Sequence, residues 1–330
     1  MTRLSVCIAT RNRGHVIGET LECLLAQVTD EVEIVVVDGA STDATQEVVG
    51  AFAARSPAVR YVRLEQNGGV DLDYHRAVDA AGGEFCWLFT DDDELAPGAV
   101  SRVLRELQEG VDLVVVNAGM FAPDLEETLV ERRMKIGSDR SFAAAEFDDF
   151  ARVAGDHLSY IGGVVIRRSV WRSRDVVPYL GTEFIHCGVI FQRPPEGRIT
   201  VLAEPLVQIR EGVALWSARS FHIWMFKWPQ LIWSFETLSE AARRAIVPRE
   251  PWRQLRRLMA SKAWGEYTGK QYQEHLRDRD WSPLGRASAW AIACAPDRLV
   301  RWVMRGLIAV LFPGDRLLRF KIKVALWRRP

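Results

Sequence analysis

Lysine is absent from the first 100 residues of this 330-residue chain, cysteine occurs only five times, and no long apolar run is present. The cysteines lack the paired spacing of zinc sites and disulfide frameworks, which predicts reduced, mostly buried thiols in a cytosolic protein. A membrane-spanning helix needs about 20 consecutive apolar residues, and no such run occurs. A strand-like segment follows Arg3 directly, so we expect no signal peptide.

The formal net charge of zero conceals an uneven distribution of charge. Residues 1–100 contain 17 acidic residues and 7 arginines, a net charge of −10. The remainder of the chain contains 26 acidic and 36 basic residues, a net charge of +10. An acidic amino-terminal part argues against nucleic acid as its ligand and is compatible with an anion bound through a metal ion.

Two common phosphate-binding motifs are also missing. The turn at residues 9–14 lacks the glycine triplet that lets a pyrophosphate approach the backbone of dinucleotide-binding proteins. No Gly-Lys-Ser/Thr phosphate loop occurs either. A bound nucleotide would therefore need its phosphates held in another way, for which a metal ion on carboxylates is suited.

Apolar runs of strand length alternate with helical patterns through the first 120 residues. The predicted strands cover residues 4–9, 33–37, 59–64, 84–89 and 112–117. Apolar residues at helical spacing occupy the segments between them. This alternation predicts an α/β fold, with a mostly parallel sheet flanked by helices.

The fourth predicted strand is the most informative segment, because it ends in three consecutive carboxylates, Asp91–Asp93. Aspartates supply the hard oxygen ligands that Mg²⁺ and Mn²⁺ prefer. Polar clusters also follow the first and second strands, at residues 10–13 and 38–43. Since ligands of such sheets bind at the carboxyl ends of the strands, the three clusters predict one site. Ordinary acidic turns and helix caps are the alternative interpretation.

These segments together resemble glycosyltransferase family 2, whose members have the GT-A fold with a Rossmann-like sheet. The resemblance rests on four amino-terminal motifs, Leu4–Asn12, Val37–Asp43, Asn67–Gly69 and Thr90–Asp93. Residues 160–270 resemble the abequosyltransferase-like branch of the family in Ile161–Gly163, Arg168–Trp171, Phe184–His186 and Phe226–Phe235. The chain departs from the family at Ala9, where proline is usual, and at Arg11, where an aromatic or small residue is usual.

The resemblance implies a nucleoside diphosphate sugar donor and a divalent cation, Mn²⁺ or Mg²⁺. It places the metal on Asp93 and Asp91, with Asp91 also facing the ribose. It further implies that Asp38 faces the nucleobase and that Arg76 lies near the donor phosphates. The complete set of expected substrate-binding residues is Thr10, Arg11, Asn12, Asp38, Ser41, Asp43, Asn67, Arg76, Asp91, Asp92 and Trp216.

Inverting sugar transfer needs a base that takes the proton of the acceptor hydroxyl. The family uses a carboxylate of a Glu-Asp pair at the start of a helix, and here Phe184 stands in the place of the aspartate. Glu183, slightly favoured, and His186 are therefore the candidates, and their spacing predicts that both project from one helix face. A helix-start carboxylate and a buried structural histidine are the alternatives. Asp156 and His157 are the next candidates for the base.

The carboxyl-terminal part changes character twice. Residues 211–285 are rich in tryptophan, and Trp216, beside a polar loop, is the one that we expect in the site. Residues 286–330 form a basic amphipathic tail, in which residues 298–330 carry nine Arg and Lys against one acid. Such a helix typically lies on an anionic membrane surface. Packing against the acidic amino-terminal half is the alternative.

The sequence therefore predicts a GT-A glycosyltransferase domain over residues 1–210 and a helical carboxyl-terminal extension. Residues 1–120 would bind the nucleotide sugar and residues 121–210 would supply the acceptor and catalytic half. We expect a metal-dependent, inverting transferase that acts in bacterial surface polysaccharide synthesis at the inner face of the membrane. The basic tail and the resemblance together favour a polyprenyl-linked saccharide as the acceptor, and a soluble acceptor is the alternative. A nucleotidyltransferase and a non-catalytic carbohydrate-binding protein are the alternatives.

Overall fold

The computed structural model describes residues 2–212 and 219–327. Within these residues, ten strands form one mixed sheet. The strands are β1 (Leu4–Thr10), β2 (Val32–Asp38), β3 (Val59–Arg63), β4 (Phe85–Phe89), β5 (Glu94–Leu95), β6 (Val111–Phe121), β7 (Thr128–Val130), β8 (Arg140–Phe142), β9 (Val164–Arg167) and β10 (Arg198–Arg210).

The sheet runs in the order β3-β2-β1-β4-β9-β6-β10-β5, with β7 beside β6 and β8 beside β10. Strands β3, β2, β1 and β4 are parallel to one another, as β6 and β10 are. Strand β9 is antiparallel to both of its neighbours, β4 and β6. The predicted α/β fold with a mostly parallel sheet is thus confirmed.

Helices cover both faces of the sheet. Those of the amino-terminal part are α1 (Ile17–Leu25), α2 (Thr45–Arg55), α3 (Val70–Ala80), α4 (Ala99–Glu106), α5 (Phe147–Ala154), α6 (Arg168–Arg172) and α7 (Ile185–Phe191). Successive strand residues point to opposite faces. Cys7 accordingly joins a core with α3, α5 and α7, and Ile8 joins a second core with α1 and α4.

The carboxyl-terminal extension is helical, as predicted. Its helices are α8 (Ser220–His222), α9 (Trp228–Ser234), α10 (Glu240–Ile246), α11 (Leu255–Ala263), α12 (Gly269–Gln271), α13 (Pro283–Cys294), α14 (Asp297–Leu311) and α15 (Arg316–Trp327). Two π-helical turns, Ile223–Lys227 and Tyr272–Leu276, follow α8 and α12. Among the described helices, none has the length and apolar character required to cross a bilayer.

Candidate active site

The sheet brings the three predicted polar loops to one edge. Strand β1 lies between β2 and β4 and is parallel to both, so the carboxyl ends of all three strands are adjacent. Thr10 at the buried end of β1 is in register with Asp38 at the end of β2. The aspartate triplet Asp91–Asp93 follows β4 at the same edge.

Protein donors already contact every carboxylate of the triplet. Arg13 Nε lies 3.1 Å from Asp91 Oδ1, and the same guanidinium donates to Asp92. Asp93 is only 2% exposed. Its Oδ2 accepts hydrogen bonds of 2.6 Å from the hydroxyls of Thr90 and Tyr160, and its Oδ1 accepts one of 2.8 Å from the Arg210 amide.

Three adjacent carboxylates lie here, and two of them, Asp91 and Asp92, pair with the guanidinium of Arg13. Burial raises the pKa of all three carboxyls. For Asp92, burial and repulsion from Asp93 and Asp91 raise the pKa well above its ordinary value, against the opposing influence of Arg13. A cation at this point would relieve both effects.

These residues could hold a divalent cation only together with oxygen atoms supplied by a bound substrate or water. Among the residues that the structure describes, no three His, Cys, Asp or Glu side chains are grouped so as to hold a metal ion alone. Mg²⁺ and similar ions are, however, often held by one or two carboxylates together with substrate phosphates and water. Each carboxylate oxygen has two acceptor positions, so Asp91 and Asp93 retain coordinating capacity beside their present partners.

Hydrogen bonds join the loops that follow β1 and β2. The Asn12 amide donates to Ser41 Oγ at 2.9 Å, and Asn12 Oδ1 accepts from the Thr42 amide at 2.8 Å. Asp43 Oδ2 accepts from the Gly14 amide at 3.0 Å. The backbone of Asn12 has a φ of 55°, a conformation that asparagine tolerates better than most residues. Three of the predicted substrate-binding residues, Asn12, Ser41 and Asp43, therefore also fix the shape of the loops.

Asp38 is completely buried and is held by two donors. Its Oδ1 accepts from the Ser41 amide at 2.8 Å, and its Oδ2 accepts from the Tyr61 hydroxyl at 2.6 Å. Burial and the contact with Asp38 raise the pKa of the Tyr61 hydroxyl. Tyr61 thus remains a donor, and the predicted contact of Asp38 with a nucleobase stays a prediction.

Helix α3, which follows β3, adds a carboxylate that the sequence reasoning missed. Asp73 of α3 is 3% exposed, and its Oδ1 lies 3.3 Å from Arg76 Nη1. A Cβ atom added at Gly39 would lie 2.5 Å from Asp73 Oδ2, so the loop after β2 rests directly on this carboxylate. Arg76 is partly exposed and Arg11 is exposed. Asn67 Oδ1 accepts from the Gly69 amide at 3.0 Å.

Glu183 lies just before α7 and is surrounded by cations. Its Oε1 is 2.7 Å from Arg219 Nη1 and 3.0 Å from Lys227 Nζ, and its side chain is 6% exposed. Its backbone has a φ of 72°, an uncommon conformation for a non-glycine residue. Asp71 stabilises this turn, because its carboxylate accepts from the amides of Glu183 and Ile185 at 2.8 and 3.1 Å.

His186 is held inside the protein. It is 1% exposed and its Nε2 lies 2.7 Å from the Leu158 carbonyl oxygen. The prediction that Glu183 and His186 project from one helix face is wrong, because α7 begins at Ile185, after Glu183. Of the next candidates, His157 is buried against the Val116 carbonyl at 2.8 Å and Asp156 is exposed.

The two buried histidines predict a stability that falls in mild acid. Burial lowers the pKa of His186 to about 4 and that of His157 to about 3, from 6.5. The unfolded chain therefore binds more protons than the folded one as pH falls from about 6.5 to about 4, and stability is lost in that window. Urea unfolding of His186→Gln should show a pH slope smaller than that of the wild type by up to about 1.4 kcal/mol per pH unit. An unchanged slope would contradict a neutral His186.

Several residues of the site were not named individually among the predicted site residues, namely Arg13, Asp71, Asp73, Tyr160, Arg210, Arg219 and Lys227. Arg13 carries a signal, since it lies in the polar loop after β1. The acidic pair in the first turn of α3 was also visible in the sequence. Tyr160 and Arg210 reach Asp93 from 67 and 117 residues away, and no local pattern predicts these two contacts. The predicted Trp216 lies outside the described residues.

Comparisons with known proteins identify the family of the chain. The family model described as Glycosyl transferase family 2 matches residues 5–170, half of the 330-residue chain. Abequosyltransferase RfbV of Salmonella typhimurium is 24% identical over 63% of this chain and 66% of its own length. The GalNAc(5)-diNAcBac-PP-undecaprenol beta-1,3-glucosyltransferase of Campylobacter jejuni is 30% identical over 44% of this chain and 49% of its own length. The chain thus spans about half to two thirds of these relatives.

Solved structures show the same architecture. S. aureus TarS 1-349 in complex with UDP has a TM-score of 0.59 at 16% identity, covering 99% of this chain and 93% of that one. The same protein in complex with UDP-GlcNAc has a TM-score of 0.56 at 17% identity, covering 98% and 90%. At these identities the likeness shows a shared fold.

Proposed function

Because the chain belongs to glycosyl transferase family 2, we propose that this glycosyltransferase moves a sugar from a nucleoside diphosphate sugar to an acceptor hydroxyl with inversion. One observation carries the proposal. Three adjacent carboxylates, Asp91–Asp93, lie at the sheet edge where the loops after β1 and β2 meet, and burial and mutual repulsion raise the pKa of Asp92. Such an edge is where open α/β sheets bind nucleotides.

The aspartates would contribute through a divalent cation. Asp91 and Asp93 would hold Mn²⁺ or Mg²⁺, which, when bound, neutralises charge on the departing diphosphate. Arg13 would hold Asp91 and Asp92 in position, through the contacts that it already makes. Tyr160, Thr90 and the Arg210 amide would fix the orientation of Asp93 in the same way.

Glu183 is the base that the contacts favour over His186. The His186 Nε2 contacts the Leu158 carbonyl oxygen, and its Nδ1 is buried without a partner among the described residues. Neither ring nitrogen is therefore accessible to the hydroxyl group of the sugar acceptor. The Glu183 carboxylate would take the acceptor proton as the acceptor oxygen bonds to the anomeric carbon. The bond from that carbon to the diphosphate oxygen breaks, and its electron pair leaves with the nucleoside diphosphate.

Nucleotide binding tests this assignment. We expect at least one nucleoside diphosphate, in the presence of Mn²⁺, to raise the Tm of the protein in a thermal-shift screen. Ligand at about 100 times its Kd stabilises a protein by about 2.7 kcal/mol, which is readily measured. Absence of a shift for every nucleoside diphosphate and its sugars would count against the proposal.

The acceptor that we propose is a lipid-linked saccharide of a bacterial surface polysaccharide, at the inner face of the cell membrane. The name of the C. jejuni relative refers to an undecaprenol-linked glycan. The exposed face of α14 supports a membrane location for this chain. Its apolar residues recur at spacings of three and four, which places them on one side of the helix. They are Leu299, Trp302, Val303, Leu307, Val310 and Leu311, between 41% and 77% exposed.

The opposite side of α14 is already occupied. Val300 and Ile308 pack in a small core with Ala263 and Ile322. Helix α15 reaches the catalytic part through Lys321, 3.3 Å from Glu211, and Arg316, 3.3 Å from the Thr128 carbonyl. The apolar side therefore points outward, and Arg305 adjoins it, with its guanidinium carbon 5.3 Å from the centre of the Trp302 ring. Helix α15 carries further exposed cations, among them Arg319 and Lys323. Apolar side chains with neighbouring cations suit the surface of an anionic bilayer.

Charged substitutions on that side should release the protein from vesicles. The double variant Trp302→Glu/Val310→Glu should bind anionic phospholipid vesicles at least about tenfold more weakly than the wild type, since each burial contributes about 1.5–3 kcal/mol. Co-sedimentation measures the difference. Val177→Glu is the matched control, because Val177 is 70% exposed but lies before α7. Equal sedimentation of the double variant and the wild type would refute membrane docking by α14.

A further inference from the structure

An open cavity lies on the surface of the carboxyl-terminal helices, and none of the aspartates Asp91–Asp93 lines it. It has a volume of about 550 Å³ and lies between the π-helical turn Tyr272–Leu276 and α13. Its walls are Tyr272, Trp281, Pro283, Arg286, Ala287 and Trp290. Cavities of roughly 300–1,000 Å³ with mainly apolar walls and few polar groups are typical of ligand sites.

The aromatic wall of this cavity is held in place from behind. Trp281 Nε1 donates to the Leu276 carbonyl at 3.0 Å, so its polar group is already used. The Trp281 ring meets Trp252 edge to face at a centroid distance of 5.0 Å. Tyr272 is 5% exposed. The wall is therefore formed before a ligand arrives, which lowers the entropic cost of binding.

Arg286 is the charged group of the cavity. Its contact within the described residues is a long one, from Nη2 to the Arg279 carbonyl at 3.4 Å. A guanidinium has five donors and no acceptor, and the described residues that line the cavity include no carboxylate or amide side chain. Neutral sugars need acceptors for their hydroxyl groups as well as donors. This lining instead favours an anion attached to an apolar body.

Helix α13, which forms one wall of the cavity, also carries exposed apolar side chains. Trp290 lines the cavity and is 53% exposed, and Leu284 at the start of the same helix is 78% exposed. Helix α13 ends two residues before α14 begins, joined by Ala295 and Pro296. Tryptophan is enriched at the interface between a membrane and water, where its ring contacts apolar groups and its N–H remains hydrated.

We propose that this cavity binds the phosphate headgroup of an anionic membrane lipid, with Arg286 on the phosphate and Trp281, Tyr272 and Trp290 against its glycerol and upper acyl carbons. The inference rests on the membrane docking proposed above. Arginine suits this task because its planar donors match two phosphate oxygens at once. The cavity would fix the orientation of the carboxyl-terminal helices on the membrane.

A soluble short-chain lipid separates the cavity from membrane docking. Dihexanoyl phosphatidic acid, below its micelle concentration, should quench the tryptophan fluorescence of the full chain with a stoichiometry of one. Arg286→Gln should weaken binding at least about tenfold, because charge-assisted hydrogen bonds are lost. Arg298→Gln, which removes an exposed arginine outside the cavity, should change the Kd less than about twofold. The double variant Trp302→Glu/Val310→Glu should still bind the short-chain lipid, although its binding to vesicles is weakened.

Four outcomes would overturn the proposal. Inorganic phosphate that binds as tightly as the short-chain lipid would identify a free anion as the ligand. Equal binding of dihexanoyl phosphatidylcholine would remove the role of the anionic headgroup, and binding of a neutral disaccharide in its place would identify a sugar site. An equal loss of lipid binding in Arg286→Gln and Arg298→Gln would show that binding depends only on the net charge of the protein. A urea unfolding curve of Arg286→Gln that matches the wild type excludes misfolding as the cause.

Discussion

Glu183→Gln should lower kcat about 10²–10⁴-fold, the usual contribution of a general base. Glutamine has the shape of glutamate and can still accept from Lys227 and Arg219, which contact the carboxylate at 3.0 and 2.7 Å. It cannot take the acceptor proton. Single-turnover sugar transfer should therefore be slow, whereas the thermal shift produced by the nucleoside diphosphate should be retained.

His186→Gln is the matched control for this experiment. The glutamine amide can donate to the Leu158 carbonyl in place of Nε2, which lies 2.7 Å from that oxygen. We expect transfer within a few-fold of the wild-type rate. Near-normal transfer by Glu183→Gln together with loss in His186→Gln would assign the base to the histidine instead.

Asp91→Asn should lower kcat/KM about 10²-fold or more, since groups that stabilise charge in the transition state contribute on this scale. The stability of the Asp91→Asn variant should not fall with its activity. Burial raises the pKa of Asp91, and repulsion from Asp91 helps to raise that of Asp92. Removal of one negative charge therefore relieves the triplet, and Tm without ligand should not fall. Steady-state kinetics and thermal unfolding measure the two effects.

Asp30→Asn provides the comparison for Asp91→Asn, because Asp30 is an exposed carboxylate before β2. Its kinetics and Tm should match those of the wild type. If Asp91→Asn kept full activity, Asp91 would have no part in binding the metal or the donor. If it lost activity only through a lower Tm, its role would be structural.

The sheet edge was predictable from the sequence because it depends on local patterns. Apolar runs ending in Thr10, Asp38 and Asp91 define where strands stop, and parallel pairing then brings those ends together. The same patterns miss contacts that cross the fold. Asp71 and Glu183 are 112 residues apart, and only the folded chain brings them into contact.

The error over Glu183 and His186 has the same origin. A spacing of three residues indicates a shared helix face only where the helix includes both residues. Here the Asp71 carboxylate accepts from the amides of Glu183 and Ile185, so α7 starts at Ile185 and Glu183 adopts a φ of 72°. The resulting turn directs Glu183 toward Lys227 and Arg219, while His186 enters the core.

Consumption of a nucleoside diphosphate sugar tests the central claim most directly. The full chain would be incubated with Mn²⁺ and each of a panel of donors, and release of nucleoside diphosphate would be followed without and with lipid-linked saccharide acceptors. We predict slow release from at least one donor, faster release with its acceptor, and loss of both in Asp91→Asn. No release from any donor, with or without acceptor, would contradict the claim that Asp91–Asp93 form the centre of a sugar-transfer site.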